Sequence, residues 1–143
     1  MKAIRVLLRI LHGFVGIGAA AGGMAAILNP TAPLGAPMSM LENCPFDTFL
    51  VPGILLFGVI GVGNLTALAV SLARPRATSY AGCLTGAAMV IWIIVQCIMI
   101  QSVISLHVIF FCVGVVQGIL GLVLLFRNRQ FPANFVVRCF GRR

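Results

Sequence analysis

Charge is what this chain lacks most. Of its 143 residues only 8% are charged, and two Asp/Glu stand against ten Lys/Arg. Soluble domains carry about 25% charged and about 45–50% apolar residues, whereas 61% of this chain is hydrophobic, so a water-soluble fold is excluded. Intrinsic disorder is excluded by the same figure, because disordered chains are poor in apolar residues. No carboxylate falls inside any long apolar run, and a proton-coupled pump or transporter generally needs an ionisable group within the bilayer. The four-span small multidrug exporters, which depend on a carboxylate in their first helix, are excluded on that ground. There is no C-x-x-C, the spacing expected of a membrane disulfide exchanger, among Cys44, Cys83, Cys97, Cys112 and Cys139. There is also no H-x-x-x-H pair for a metal, no G-x-x-x-x-G-K-[ST] and no G-x-S-x-G elbow. The sequence therefore gives no positive support for an enzyme, a cofactor or a metal.

Long apolar runs are present instead. A helix rising about 1.5 Å per residue needs about 20 apolar residues to cross a hydrocarbon core of about 30 Å. Four stretches qualify, near 10–28, 49–73, 80–100 and 106–126, and none contains Asp, Glu, Lys or Arg. They predict an all-α, four-helix transmembrane bundle. Transmembrane strands would alternate apolar with polar residues in segments of about ten, and these runs are continuous. Asn29-Pro30 ends the first run and Arg74-Pro75-Arg76 the second, since Pro cannot continue the helical ladder. Residues 29–48 hold four of the seven prolines and read as an ordered or semi-extended loop. Asp47 and Thr48 are natural N-caps for the second span, with Pro52 in its first turn. A short turn near Gln101–Ser105 makes the third and fourth spans antiparallel neighbours. Lys2 to Arg9 followed by apolar and small residues also has the outline of a signal peptide. The apolar stretch runs to about 19 residues, so a retained first span is the expectation.

The basic residues are sorted. Lys2, Arg5 and Arg9 precede the first span, Arg74 and Arg76 separate the second from the third, and Arg127, Arg129, Arg138, Arg142 and Arg143 follow the fourth. With four crossings these regions share one side, while Glu42 and Asp47 fall on the other. The positive-inside rule then puts both termini in the cytoplasm of a cell membrane. The net charge of +8 is accounted for by topology, and no nucleic-acid partner is implied. The tail 127–143 mixes Arg with Phe131, Phe135 and Phe140, the pattern of an interfacial segment drawn to anionic headgroups.

Within the spans, three pairs of glycines one turn apart (Gly18/Gly22, Gly82/Gly86, Gly114/Gly118) predict close helix contacts. The intramembrane polar residues are amides: Asn64, Gln96 and Gln117. Trp92 lies four residues before Gln96 and shares its helix face. These four are the candidate ligand-binding residues, lining a small polar cavity for a neutral or anionic ligand. The alternative is interhelical hydrogen bonding, worth about 0.6–2 kcal/mol per contact, and it is the favoured reading. His12, beside Arg9, reads as an interfacial residue, and His107 as one at headgroup level. Glu42, Cys44, Asp47 and His107 gather on the outer side without spacing that fixes a metal site, and whether Cys44 is oxidised stays open.

The passage Leu34-Gly35-Ala36-Pro37 through Leu41-Glu42-Asn43-Cys44-Pro45-Phe46-Asp47-Thr48-Phe49-Leu50-Val51-Pro52-Gly53 resembles an "LG-x-P … SPF-x-DFLIPG" block. Val90-Ile91-Trp92-Ile93-Ile94-Val95-Gln96 is similar to a "WIxVQ" segment. Both belong to an uncharacterised family of small bacterial four-span integral membrane proteins. The chain departs from that pattern at Cys44, where Ser is usual, and at Ser105–Phe111, where "LQPLYF" is more typical. The resemblance implies the four-span fold, a bacterial origin, and a first loop folded back with Phe46, Phe49 and Pro52 at the interface. It implies no activity. Three functions remain. The expected one is a non-enzymatic structural or accessory protein that contacts lipid, another membrane protein or a second copy of itself. The others are a small channel or carrier for a neutral or weakly charged solute using the intramembrane amides, and a thiol-redox or metal protein built around Cys44.

Overall fold

The computed structural model describes residues 1–131. Four helices in it are long and apolar enough to cross a membrane. The first, α1, runs over Lys2–Leu28. The second crossing, Leu50–Ala73, is made of α2 (Leu50–Leu55), a wide π-helical segment (Leu56–Val62) and α3 (Gly63–Ala73). The third and fourth are α4 (Thr78–Ile100) and α5 (Ser105–Arg127). Three of the four agree with the apolar runs to within two residues at each end. The first starts eight residues early, because the basic stretch before Ile10 is helical as well. Residues 132–143, which carry most of the expected interfacial tail, lie outside the described residues.

Apolar side chains cover the outside of the bundle on every helix. Ile10, Ile17, Leu84, Ile98 and Ile119 are all more than half exposed, an arrangement that water would penalise and lipid favours. The buried apolar core is small, built on Val15, Ala19, Ile60, Met89 and Ile93. Much of the cohesion comes from backbones that approach closely. On the α4–α5 hairpin, a Cβ on Gly86 would stand 2.7 Å from the carbonyl oxygen of Gly114, and one on Gly121 would stand 2.8 Å from the carbonyl carbon of Gly82. The Gly82/Gly86 and Gly114/Gly118 pairs therefore meet as expected. The Gly18/Gly22 pair does not. A Cβ on Gly18 would meet nothing within 4 Å, and α1 instead packs on the second crossing through Gly16, Ala20 and Gly23 against Leu65, Gly61 and Gly53. These residues recur every three to four positions and so form one stripe, whereas Gly18 and Gly22 lie off it.

The loop between α1 and α2 is closed on itself, since the Phe49 N–H donates to the Pro30 carbonyl at 2.9 Å. Between these ends it makes two short 3-10 turns, Pro33–Gly35 and Met38–Leu41, which bury Pro33 and Leu41. The Cys44 thiol donates to the Met99 carbonyl at 3.3 Å and ties the loop to the end of α4. The N-cap of α2 is Phe49, not Asp47; Thr48 Oγ1 accepts from the Leu50 N–H at 3.5 Å, while Asp47 is exposed. The backbone bond from Phe49 back to Pro30 already fixes the entry angle that a side-chain cap would set.

Candidate functional site

Each of the four crossings sends one polar side chain to the same buried point. His12 comes from α1, Asn64 from the first turn of α3, Thr85 from α4 and Gln117 from α5. All four are below a tenth exposed, and His12 and Gln117 are fully buried. Gln117 Nε2 donates to Asn64 Oδ1 at 3.1 Å and lies 3.1 Å from His12 Nδ1. The same ring nitrogen is 3.2 Å from Asn64 Oδ1 and 3.4 Å from Thr85 Oγ1. The outer valences turn back on the helices: Asn64 Nδ2 donates to the Ile60 carbonyl at 2.9 Å, and the Thr85 hydroxyl to the Ala81 carbonyl at 2.8 Å. Among the described residues His12 Nε2 and Gln117 Oε1 have no partner. With its proton on Nδ1, His12 donates to Asn64 and faces a second donor on Gln117. With Nδ1 bare, it accepts from Gln117 and faces the Asn64 oxygen.

The wide π turn prepares this meeting. The Gly63 N–H reaches back five residues to the Gly58 carbonyl, as well as to Ile60, and the extra residue rephases the helix just before Asn64. His12 was expected at the membrane edge, and the structure corrects this. Because α1 starts at Lys2, His12 stands about 15 Å along the helix and deep in the bundle. Thr85 gave no sequence signal, since a lone Thr in an apolar helix is indistinguishable from a lipid-facing one.

Asn64 and Gln117 are thus brought together, but Trp92 and Gln96 are not part of their network. Those two line a lateral cleft of about 420 Å³, whose walls include Gly18, Gly22, Met89 and Phe110. The bare backbone at Gly18 and Gly22 is what opens it. Phe14 and Phe110 stack beside it, ring centres 6.2 Å apart. His107, in the first turn of α5, also lines the cleft and is buried. On its other side the Trp92–Gln96 face borders a second cavity of about 150 Å³ under the loop, with Leu41, Cys44, Phe46, Phe49 and Pro52. The indole N–H of Trp92 is buried and has no acceptor among the described residues.

The outer polar residues stay apart. Cys44 is held by Met99, His107 Nδ1 accepts from the Ile104 N–H at 3.5 Å, and Glu42 and Asp47 are exposed. Among the described residues no three His, Cys, Asp or Glu converge as a metal site would require. Cys44, Cys83, Cys97 and Cys112 are free thiols, and Cys139 lies outside the described residues. Compared with protein-family models, curated proteins and solved structures, the chain matches none.

Proposed function

We propose that this is a non-enzymatic accessory protein of the cell membrane, with both termini cytoplasmic, that holds a membrane-soluble amphiphile in the lateral cleft. One observation carries the reading: Trp92, whose indole N–H is buried and unpartnered among the described residues, lines an apolar cleft whose size falls in the range of about 300–1,000 Å³ typical of ligand pockets. An acyl or similar chain would lie along Gly18, Gly22 and Phe110, and an ester or carbonyl oxygen would accept from Trp92, with Gln96 as a second polar contact. The carrier alternative needs Asn64, Gln96 and Gln117 to face one path. Asn64 and Gln117 bond to each other, while Gln96 faces the cleft, and this favours binding over transport. A contact with another membrane protein, or with a second copy, is compatible with the same cleft.

Trp92 is the only tryptophan, so its emission reports on the cleft directly. In vesicles of phosphatidylcholine with dibrominated acyl chains, Trp92 fluorescence is expected to be strongly quenched. Gly18→Leu, which fills the cleft where a side chain meets no neighbour, should reduce the quenching at least twofold with the helical circular dichroism unchanged. Equal quenching in the two proteins would overturn the proposal.

A further inference from the structure

The geometry points to a phosphate-binding site at the opposite, basic end of the bundle, formed by Arg5, Arg74 and Arg76, independent of the cleft. The early start of α1 puts Arg5 and Arg9 one turn apart on one face. Arg9 donates to the Ser71 carbonyl at 2.6 Å and so closes the end of α3. Arg5, one turn further out, lines a cavity of about 550 Å³ with Arg74, Pro75 and Arg76 from the α3–α4 turn. That turn is held in shape. The Ala77 N–H donates to the Arg74 carbonyl at 2.8 Å, and the Arg76 carbonyl accepts from Ser79 Oγ at 3.1 Å and from Gln130 Nε2 at 2.8 Å. The backbone is therefore fixed before any ligand arrives, and the two guanidinium groups are carried on a rigid support.

Three cations around one cavity repel one another, and the chain supplies no acidic side chain to offset them. Its only carboxylate side chains, Glu42 and Asp47, belong to the loop at the far end of a 24-residue crossing, about 36 Å away. That is several times the screening length of about 8 Å at physiological salt. Arg5 is partly buried, and its Nε has no partner among the described residues, so one N–H of the guanidinium is left unsatisfied. A tetrahedral phosphate answers both needs, because its oxygens accept the paired N–H donors of each guanidinium. At the depth of a bilayer's headgroups, basic pockets between helices take anionic lipid phosphates. The chemistry is shared with free inorganic phosphate.

The test uses the full chain in a phosphate-free maltoside detergent, titrated separately with phosphatidylglycerol, phosphatidylcholine and inorganic phosphate while thermal unfolding is followed. The wild-type protein should be stabilised by phosphatidylglycerol and much less by phosphatidylcholine. Stabilisation by inorganic phosphate as well would identify the solute as a ligand of the same site, and its failure would assign the site to lipid. The triple variant Arg5→Gln, Arg74→Gln, Arg76→Gln should weaken phosphatidylglycerol binding by at least about tenfold. A control that removes the same charge elsewhere, Lys2→Gln, Arg127→Gln, Arg129→Gln, should change it less than about threefold. If the glutamine triple fails to fold, the Arg→Lys triple keeps the charge and loses the fork, and should weaken binding severalfold. Equal losses in the cavity and control variants, or no stabilisation by either anion, would overturn the site.

Discussion

Gln117 joins three helices through one amide nitrogen, which touches both Asn64 and His12. Replacing it with an apolar residue removes one donor from the Asn64 oxygen and one neighbour from the histidine ring in a site closed to water, leaving His12 as the only partner of that oxygen. Losing a buried partner costs about 1–3 kcal/mol. Gln117→Leu and Asn64→Leu are therefore each expected to lower unfolding stability in detergent by an amount in that range, whereas Gln96→Leu, outside the network, should change it by less than about 0.5 kcal/mol. The His12→Leu, Gln117→Leu double variant should differ from the sum of its parts, since both remove the contact between the two side chains and together they take both donors from the Asn64 oxygen. Similar effects at Gln96 and Gln117 would mean that the network does not hold the bundle. The amides were readable as candidates because a polar side chain in a long apolar run stands out. Their partner was not, because His12 follows Arg9 by three residues and looks like part of a basic flank.

Helix positions were legible at the scale of elements, and helix facing was only partly so. Composition and length locate the crossings because a bilayer imposes about the same demand on each. Facing is hidden, because helices apolar on all sides carry no stripe to read. Glycine spacing then guides at two pairs and misleads at one. Gly82, Gly86, Gly114 and Gly118 meet across α4 and α5, but Gly18 and Gly22 open a cleft. The π turn left only one trace, the glycines Gly53, Gly58, Gly61 and Gly63 in and beside it, which mark a closely approached or bent backbone without saying which. The two kinds of glycine make a sharp contrast. Gly86→Ala would force a methyl against the Gly114 carbonyl and should cost about 1–3 kcal/mol by pushing the hairpin apart. Gly18→Ala meets nothing and should be neutral, or stabilising by up to about 1 kcal/mol through helix propensity. Thermal unfolding of the two variants side by side checks this, and a Gly18→Ala as damaging as Gly86→Ala would contradict the packing.

The whole molecule is a bundle with unlike ends. The start of α1, the α3–α4 turn and the end of α5 share one end, joined by the bonds of Arg9 to Ser71, of Gln130 to Arg76 and of Tyr80 to Phe131. The other end carries the closed loop with both carboxylate side chains. The four long helices are apolar enough to cross a membrane, and a chain that crosses it four times puts Glu42 and Arg74 on opposite sides. The most direct measurement is labelling of single cysteines, Glu42→Cys and Arg74→Cys, placed in a chain whose five native cysteines are replaced by alanine, with a membrane-impermeant maleimide on intact cells. Glu42→Cys is expected to react at once, and Arg74→Cys only after the membrane is permeabilised. Reaction of both from the same side would contradict the four-crossing bundle.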